Sequence, residues 1–323
     1  MHKELAGSFY GSTGGSAIKI SGIMGVSIIC SSVLALCSSI SASTTELIVI
    51  YPQVREPFAR VFEEIVRGAE DGYQHSVQRV PLAENQSPVD FVHVVDRQSP
   101  VLVLGNRLAR QVSENNKEHN VIVGAVNTGF TNVFGITLTP NFDLLTSKLS
   151  LLVPAVKQVH VIAGANSGLT DFKLAKEAFL SRGITLLVHE ADNLRMAAGT
   201  YRKLMHDFDE DDAIWILPSG SFVNNPMLSI LLQESWKKRF VVFSSNPVHV
   251  KRGALFSVYP NNYKMGLSLG RLAQDVVQGV PAEQKMQSLD DIFVTVNERT
   301  SNHLGVNLTE DVRAQIDLVL PAR

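Results

Sequence analysis

Residues 253–279 read GALFSVYPNNYKMGLSLGRLAQDVVQG, and this stretch has three parts. Ala254, Leu255, Phe256 and Val258 form a short apolar run ending at Tyr259, as expected of a buried strand. Pro260, Asn261 and Asn262 interrupt it, and either asparagine can cap a helix that starts here. Tyr263, Leu267, Leu269, Leu272, Ala273, Val276 and Val277 then recur at helical spacing. Gly279 stands where a C′ glycine ends a helix. A buried strand, a polar elbow and an amphipathic helix make one half of an α/β unit, so strand and helix should alternate through the rest of the chain.

They do so on both sides of residue 140. In the first half Leu47–Tyr51 (LIVIY), Val77–Val80, Val92–Val95, Pro100–Gly105 and His119–Val126 read as strands, with helices at Pro57–Ala69 and from Asn106. Residues 127–139 carry no helical pattern and lead toward a hinge. In the second half a helix over Asn141–Leu152 stops at Pro154. Strands at Val159–Gly164, Ile184–His189, Ala213–Leu217 and Phe240–Ser244 then alternate with helices at Thr170–Arg182, Met196–Asp207 and Asn224–Glu234. Asp291–Val296 reads as a strand, Val306–Val319 as a last helix, and acidic Asp207–Asp212 as a solvated turn. Unbroken β-branched runs separated by helices belong to parallel sheets covered on both faces. The fold class expected is α/β, with two doubly wound parallel-sheet lobes joined by a hinge of three crossovers. Lobe one covers 44–138 plus 258–283, and lobe two 139–257 plus 284–323.

The 323 residues are 45% hydrophobic and 19% charged, with a formal net charge of −2. That balance excludes a disordered chain and gives no basic stripe for nucleic acid. None of the nine histidines forms HExxH or a Cys/His cluster, so no metal and no cofactor is expected. Lys3 and Lys19 precede an uncharged run from Ile20 to Ala42 that ends in small residues. Residues 1–43 therefore read as a signal peptide, with a retained membrane anchor as the rival. Both cysteines, Cys30 and Cys37, fall in this segment, so an exported mature chain would have no thiol and no disulfide.

From Phe134 onward the order of pieces resembles the tryptophan-binding-like ABC transporter substrate-binding family, of type I periplasmic-binding fold. The pieces are FGITL, LLVPAVKQVHVI, AGANSG before a helix, AIWILPSGS, VVFSSNPVHVKRGALFSV, the Tyr263–Gly266 elbow and IFVTVNERTSNHLGVNL. The resemblance is strong in the second lobe and thin over Tyr51–Ser99. It implies a periplasmic or cell-surface receptor, monomeric and without catalysis, that binds a small solute such as an amino acid between its lobes. The partner is an ABC permease, or alternatively a membrane sensor. The chain departs from the family at Gly105-Asn106-Arg107, where relatives carry a threonine-containing loop, and at Asn127-Thr128-Gly129, where they carry Asp-Pro.

Ligands of parallel sheets bind beyond the carboxyl ends of the strands, where helix N-termini favour anions. The candidate ligand-binding residues are therefore Tyr51, Asn106, Arg107, Asn127 and Thr128 in lobe one. In lobe two they are Asn166, Ser167, Thr170, Ser219, Ser221, Ser245 and Asn246, with Tyr259 and Asn262 at the crossover. Local roles compete with this reading. Asn166, Ser167 and Thr170 are helix-cap types, Ser219 and Ser221 suit turns, Tyr51 and Tyr263 suit packing, and Arg107 suits a solvent-facing helix. GxGxxG and GxxxxGK[ST] are absent, which leaves an enzyme the weakest of the three functions.

Overall fold

The computed structural model describes residues 45–115, 120–127, 129–164, 172–218, 221–280 and 285–321. The signal-peptide and anchor readings, both cysteines, and candidates Thr128, Asn166, Ser167, Thr170 and Ser219 lie outside the described residues. Residues 43–323 form one compact unit.

The chain opens with β1 (Leu47–Pro52), α1 (Phe58–Gly72), β2 (Val77–Leu82), α2 (Pro88–Val92), β3 (Val101–Leu104), α3 (Asn106–Asn115), β4 (Val121–Val126) and β5 (Phe134–Pro140). It continues with α4 (Phe142–Leu152), β6 (Gln158–Ala163), α5 (Phe172–Leu180), β7 (Thr185–Glu190), α6 (Leu194–Asp207), β8 (Asp212–Ile216), α7 (Asn225–Lys238), β9 (Val241–Ser244), α8 (Pro247–Arg252) and β10 (Phe256–Pro260). Last come α9 (Asn262–Gln278), β11 (Met286–Leu289), β12 (Ile292–Asn297), α10 (Glu298–Leu304), α11 (Glu310–Arg313) and β13 (Leu318–Leu320).

One sheet has the order β11-β5-β4-β3-β1-β2 and the other β13-β12-β10-β9-β8-β6-β7. The five strands that open each lobe thus repeat one doubly wound order, β2-β1-β3-β4-β5 and β7-β6-β8-β9-β10. All pairings are parallel except β10 with β12. Their central strands are apolar on both faces: β1, β3, β4, β8 and β9 are almost wholly buried. In lobe two a run of stacked rings (Phe179, Trp215, Phe243, Phe256) fills one layer, with Phe243 and Phe256 4.9 Å apart.

The chain changes sheet after Pro140, after Pro260, and between Leu289 and Ile292. The sequence pattern puts these boundaries at 138, 257 and 283; the sheets assign Met286–Leu289 to lobe one and Pro260 to lobe two. Two crossovers share the sequence Pro-Asn. Asn141 caps α4 and Asn261 caps α9, and each donates its backbone N–H to the third crossover, at Leu289 O and Asp291 O (both 2.9 Å). Asn141 Nδ2 also reaches Asp290 Oδ1 (2.9 Å), and Ser268 Oγ donates to Asp291 Oδ2 (2.6 Å). The hinge is a hydrogen-bonded bundle of three strand ends.

After the second crossover, α9 lies against α1 unusually closely. A Cβ built on Gly266 would stand 2.0 Å from Ile65 O, and one on Gly68 2.0 Å from Tyr263 O. Gly72 and Gly270 make the same kind of approach. Four glycines, spaced by four in each helix, let backbone meet backbone. Tyr263 packs on this pair, its hydroxyl 2.8 Å from Asp71 Oδ2 and its ring under Arg67.

Two expected elements differ. Val92–Val95 is not a strand: Ser87 caps and Pro88 starts a short helix that ends at Val92. Val306–Val319 is not one helix. Gly305, at φ 74°, closes α10, Thr309 caps the four-residue α11, and Leu318–Leu320 pairs beside β12 as β13. The acidic run is solvated except at Phe208, which enters the core, and at Asp212, which is buried at the start of β8 and accepts the Asp209 N–H.

Candidate functional site

All three crossovers leave one sheet at its carboxyl edge and enter the other at its carboxyl edge. β5 and β11 run with the first sheet and end at the hinge. β10 runs with the second and also ends there, while β12, antiparallel to β10, begins there. The carboxyl ends of both sheets therefore border the hinge. Because each sheet reverses order between its first and third strands, the crevices lie between β1 and β3 and between β6 and β8.

At the first crevice the turn after β3 requires Gly105, at φ 90°, and leads into Asn106. Asn106 Oδ1 accepts the backbone N–H of Asn127 (2.9 Å), so the loops after β3 and β4 are tied together. Ala125, beside it, has φ 54° at a break in the β4–β5 register. A non-glycine residue in this region marks a backbone held by its surroundings. Tyr51, at the end of β1, lines a cavity of about 430 Å³ with Pro52, Val54, Glu56, Phe62 and Pro81. Burial foremost, with Glu63 and Glu70 adding and Arg79 opposing, raises the Tyr51 phenol above its usual range. It remains an O–H donor at neutral pH. Arg107 is exposed on the first turn of α3.

In the second lobe several candidates are engaged internally. Ser221 is buried; its carbonyl accepts the Tyr201 hydroxyl (3.0 Å), and its Oγ points to Leu217 O. Asn246 caps α8 through Val248 N and donates its own N–H to Ser244 Oγ (3.0 Å). Ser245 Oγ accepts the Trp215 indole N–H (3.2 Å), which links the loop after β9 to the aromatic core. Tyr259 bonds Thr295 Oγ1 on β12, and Asn262 donates to Glu64 on α1 (both 3.2 Å). The structure thus ties Asn106 to Asn127 at the carboxyl edge of the first sheet, sets Tyr51 in a separate cavity bordered by α1 and Pro81 of β2, and bonds Ser245 to Trp215 at the carboxyl edge of the second. It commits Ser221, Asn246, Tyr259 and Asn262 to holding loops and hinge.

The profile of the family described as ABC transporter substrate binding protein matches residues 119–319. The chain belongs to this family. Solved substrate-binding proteins share its fold. A ligand-free, open substrate binding protein with adhesive properties from Clostridium difficile superposes with TM-score 0.61 at 16% identity, covering 84% of this chain and 98% of that one. An ABC domain in complex with L-Trp from Streptococcus pneumonia gives TM-score 0.56 at 16% identity, over 85% of this chain and 100% of that one. A conserved domain protein from Vibrio cholerae gives the same score and identity, with 85% and 99% covered. At such identity the likeness is one of fold. No curated protein matches the chain in sequence. Among the described residues of this substrate-binding protein, no helix is long and apolar enough to cross a membrane.

Sequence reasoning favours polar loop residues and misses the apolar ones. Phe58 is 65% exposed in the first turn of α1, near Val54. On the opposite lobe Leu174, Leu194, Met196 and Val248 are exposed near the N-terminal ends of α5, α6 and α8, all at the carboxyl edge. Half-exposed apolar side chains at a rim that also presents Asn and Ser are a mixed surface fit for an amphipathic solute. One further polar group there is Ser244, whose Oγ lies 2.7 Å from His249 Nδ1. Ser244 is 1% exposed, and its hydroxyl also meets Asn246 N and Ile216 O. That network orders the loop before α8 and has no room for a substrate.

Proposed function

We propose that this protein is an exported solute receptor that captures a small amino acid-like ligand between its lobes and delivers it to an ABC permease. The observation that carries this is topological: two sheets of the same doubly wound order are joined at their carboxyl edges by three strands. A ligand touching both edges favours the closed arrangement by its differential contacts, and release to the permease follows opening. Asn106, Asn127 and Tyr51 supply neutral hydrogen bonds for a polar head group. Phe58, Val54 and the rim residues of lobe two supply apolar area for its side chain. The bound L-Trp of the Streptococcus domain accords with an amino acid bearing a large apolar side chain. Residues 1–43, with their uncharged apolar run, would direct export.

The test is a thermal-shift screen of residues 43–323, the compact unit, against amino acids, nucleosides, sugars and small anions. Ligand at 100 times its dissociation constant stabilises the protein by about 2.7 kcal/mol. The expected hits are apolar and aromatic amino acids, with Phe58→Ala weakening them while the unliganded melting stays the same, and Asn106→Ala weakening them beyond the small loss of unliganded stability that follows from its lost bond to Asn127 N. A cooperatively melting protein that responds to no amino acid would overturn the ligand class. Hits unaffected by both substitutions would overturn the site.

A further inference from the structure

A second concavity lies at the opposite end of lobe two. It is a cavity of about 740 Å³ between the C-terminal half of α7, the end of α8 and the start of α10. Gly253 precedes β10, and Asn297 ends β12 antiparallel to it, so this wall is the amino edge of the sheet, away from the hinge. The cavity shares no residue with the crevices described above.

Its lining combines two chemistries. Trp236, 40% exposed, forms an apolar wall with Leu232 and Pro321. Its ring is held in place: His303 stacks on it at 3.6 Å and 3° and bonds to Trp236 O (2.8 Å), while Arg299 lies 5.5 Å from the ring centroid. Lys251, Arg252 and Arg299 add three cations to the lining, and among the described residues no carboxylate lines it. Neighbouring acids are already occupied, Glu234 by Lys237 (2.7 Å) and Glu298 by Arg313 (2.6 Å). Arg252 is held by Asn225 and Ser229, whereas among the described residues no carboxylate pairs with Lys251 or Arg299. Unpaired cations gathered around a fixed aromatic wall, in a concavity of ligand size, recognise an anion that carries a ring.

We infer that the cavity between α7, α8 and α10 is a second binding site of this protein, for an aromatic carboxylate. The carboxylate is held by Arg299 and Lys251, and the ring packs on Trp236, Leu232 and Pro321. Occupation of this site is independent of the hinge cleft.

The chain has two tryptophans, which makes the test direct. Trp215 reports the hinge end through Ser245, and Trp236 reports the cavity. The full chain, isotope-labelled at the indole nitrogens, is titrated with benzoate, benzyl alcohol and inorganic phosphate, with Trp236→Phe assigning the two indole signals. Benzoate should move the Trp236 signal saturably and leave Trp215 in place, with benzyl alcohol and phosphate far weaker. Arg299→Gln and Lys251→Gln should each weaken benzoate about tenfold, as loss of one charge-assisted hydrogen bond does. Arg299 also touches the Trp236 ring, so Lys251→Gln is the cleaner variant. An unmoved Trp236 signal, equal response to benzyl alcohol, joint movement of both indoles, or unchanged affinity in Lys251→Gln would each overturn the site.

Discussion

Gly266→Ala should destabilise lobe one although alanine is the better helix former. The new methyl would stand 2.0 Å from Ile65 O, 2.8 Å from Ile65 C and 3.0 Å from Ala69 N. These are backbone atoms of α1 and cannot rotate away. An ordinary contact needs more than 3.4 Å, so the helices must part by more than an ångström. Overpacking of this kind costs about 1–3 kcal/mol, and the parted helices also lose Cα–H···O contacts of about 0.5–1 kcal/mol each. Better propensity returns about 1 kcal/mol. A net loss of about 2 kcal/mol is expected. Gly199→Ala in α6 is the control, because a Cβ there meets nothing within 4 Å. It should be neutral or stabilise by up to about 1 kcal/mol. The assay is urea unfolding followed by far-ultraviolet circular dichroism, with stability taken from midpoint and slope. Gly68→Ala combined with Gly266→Ala should cost less than the two separately, since the helices have already parted. A Gly266→Ala protein as stable as Gly199→Ala would refute the reasoning.

Other consequences concern single side chains. His160 and His189 stack with Nδ1 and Nε2 3.0 Å apart, beside Phe208, Asp212 and Lys203. Burial foremost lowers both histidines below the usual value. For His160 the partner ring adds to this and Asp212 opposes it; for His189 Lys203 adds. Below about pH 6.5 the unfolded chain takes up protons that the native state resists, so stability is undiminished above that pH and falls as pH drops through it. Urea midpoints measured from neutral to mildly acidic pH should show the fall, and His189→Gln should flatten it. Tyr201→Phe removes the donor to Ser221 O inside the core and should cost about 1–3 kcal/mol in urea unfolding. Asn141→Ala removes both the α4 cap and the bond to Asp290. It should lower stability by about 1 kcal/mol or more by the same assay, where no change would show that the crossover is held without it.

Much of the fold is legible in the sequence because parallel strands buried on both faces are apolar at every position. LIVIY and VVFS announce themselves whatever surrounds them. Gly279, at φ 69°, is the C′ residue that its position suggests. Val92–Val95 misleads because an apolar run of that length has no period, and the Ser87 cap decides its conformation. Met286–Leu289 escapes notice because an edge strand is buried on one side only, and Met-Gln-Ser-Leu alternates weakly. Topology suffices to place Asn106 and Asn127 at the carboxyl edge of the first sheet. The inward use of Ser221 and Asn246 depends on Tyr201 and Ser244, and Ser221's partner is 20 residues away.

The amino-acid sequence by itself determined two α/β halves, a strand, polar elbow and helix within residues 253–279, and the side of each sheet that ligands would approach. Local periodicity and the direction of parallel strands are enough for these. Tertiary structure alone decided which loop side chains stay free, how closely α9 meets α1, and that Lys251, Arg299 and Trp236 share one cavity. Hydrogen-bond partners, helix separation and the pairing of charges are set between residues far apart in the chain, and no local pattern carries them.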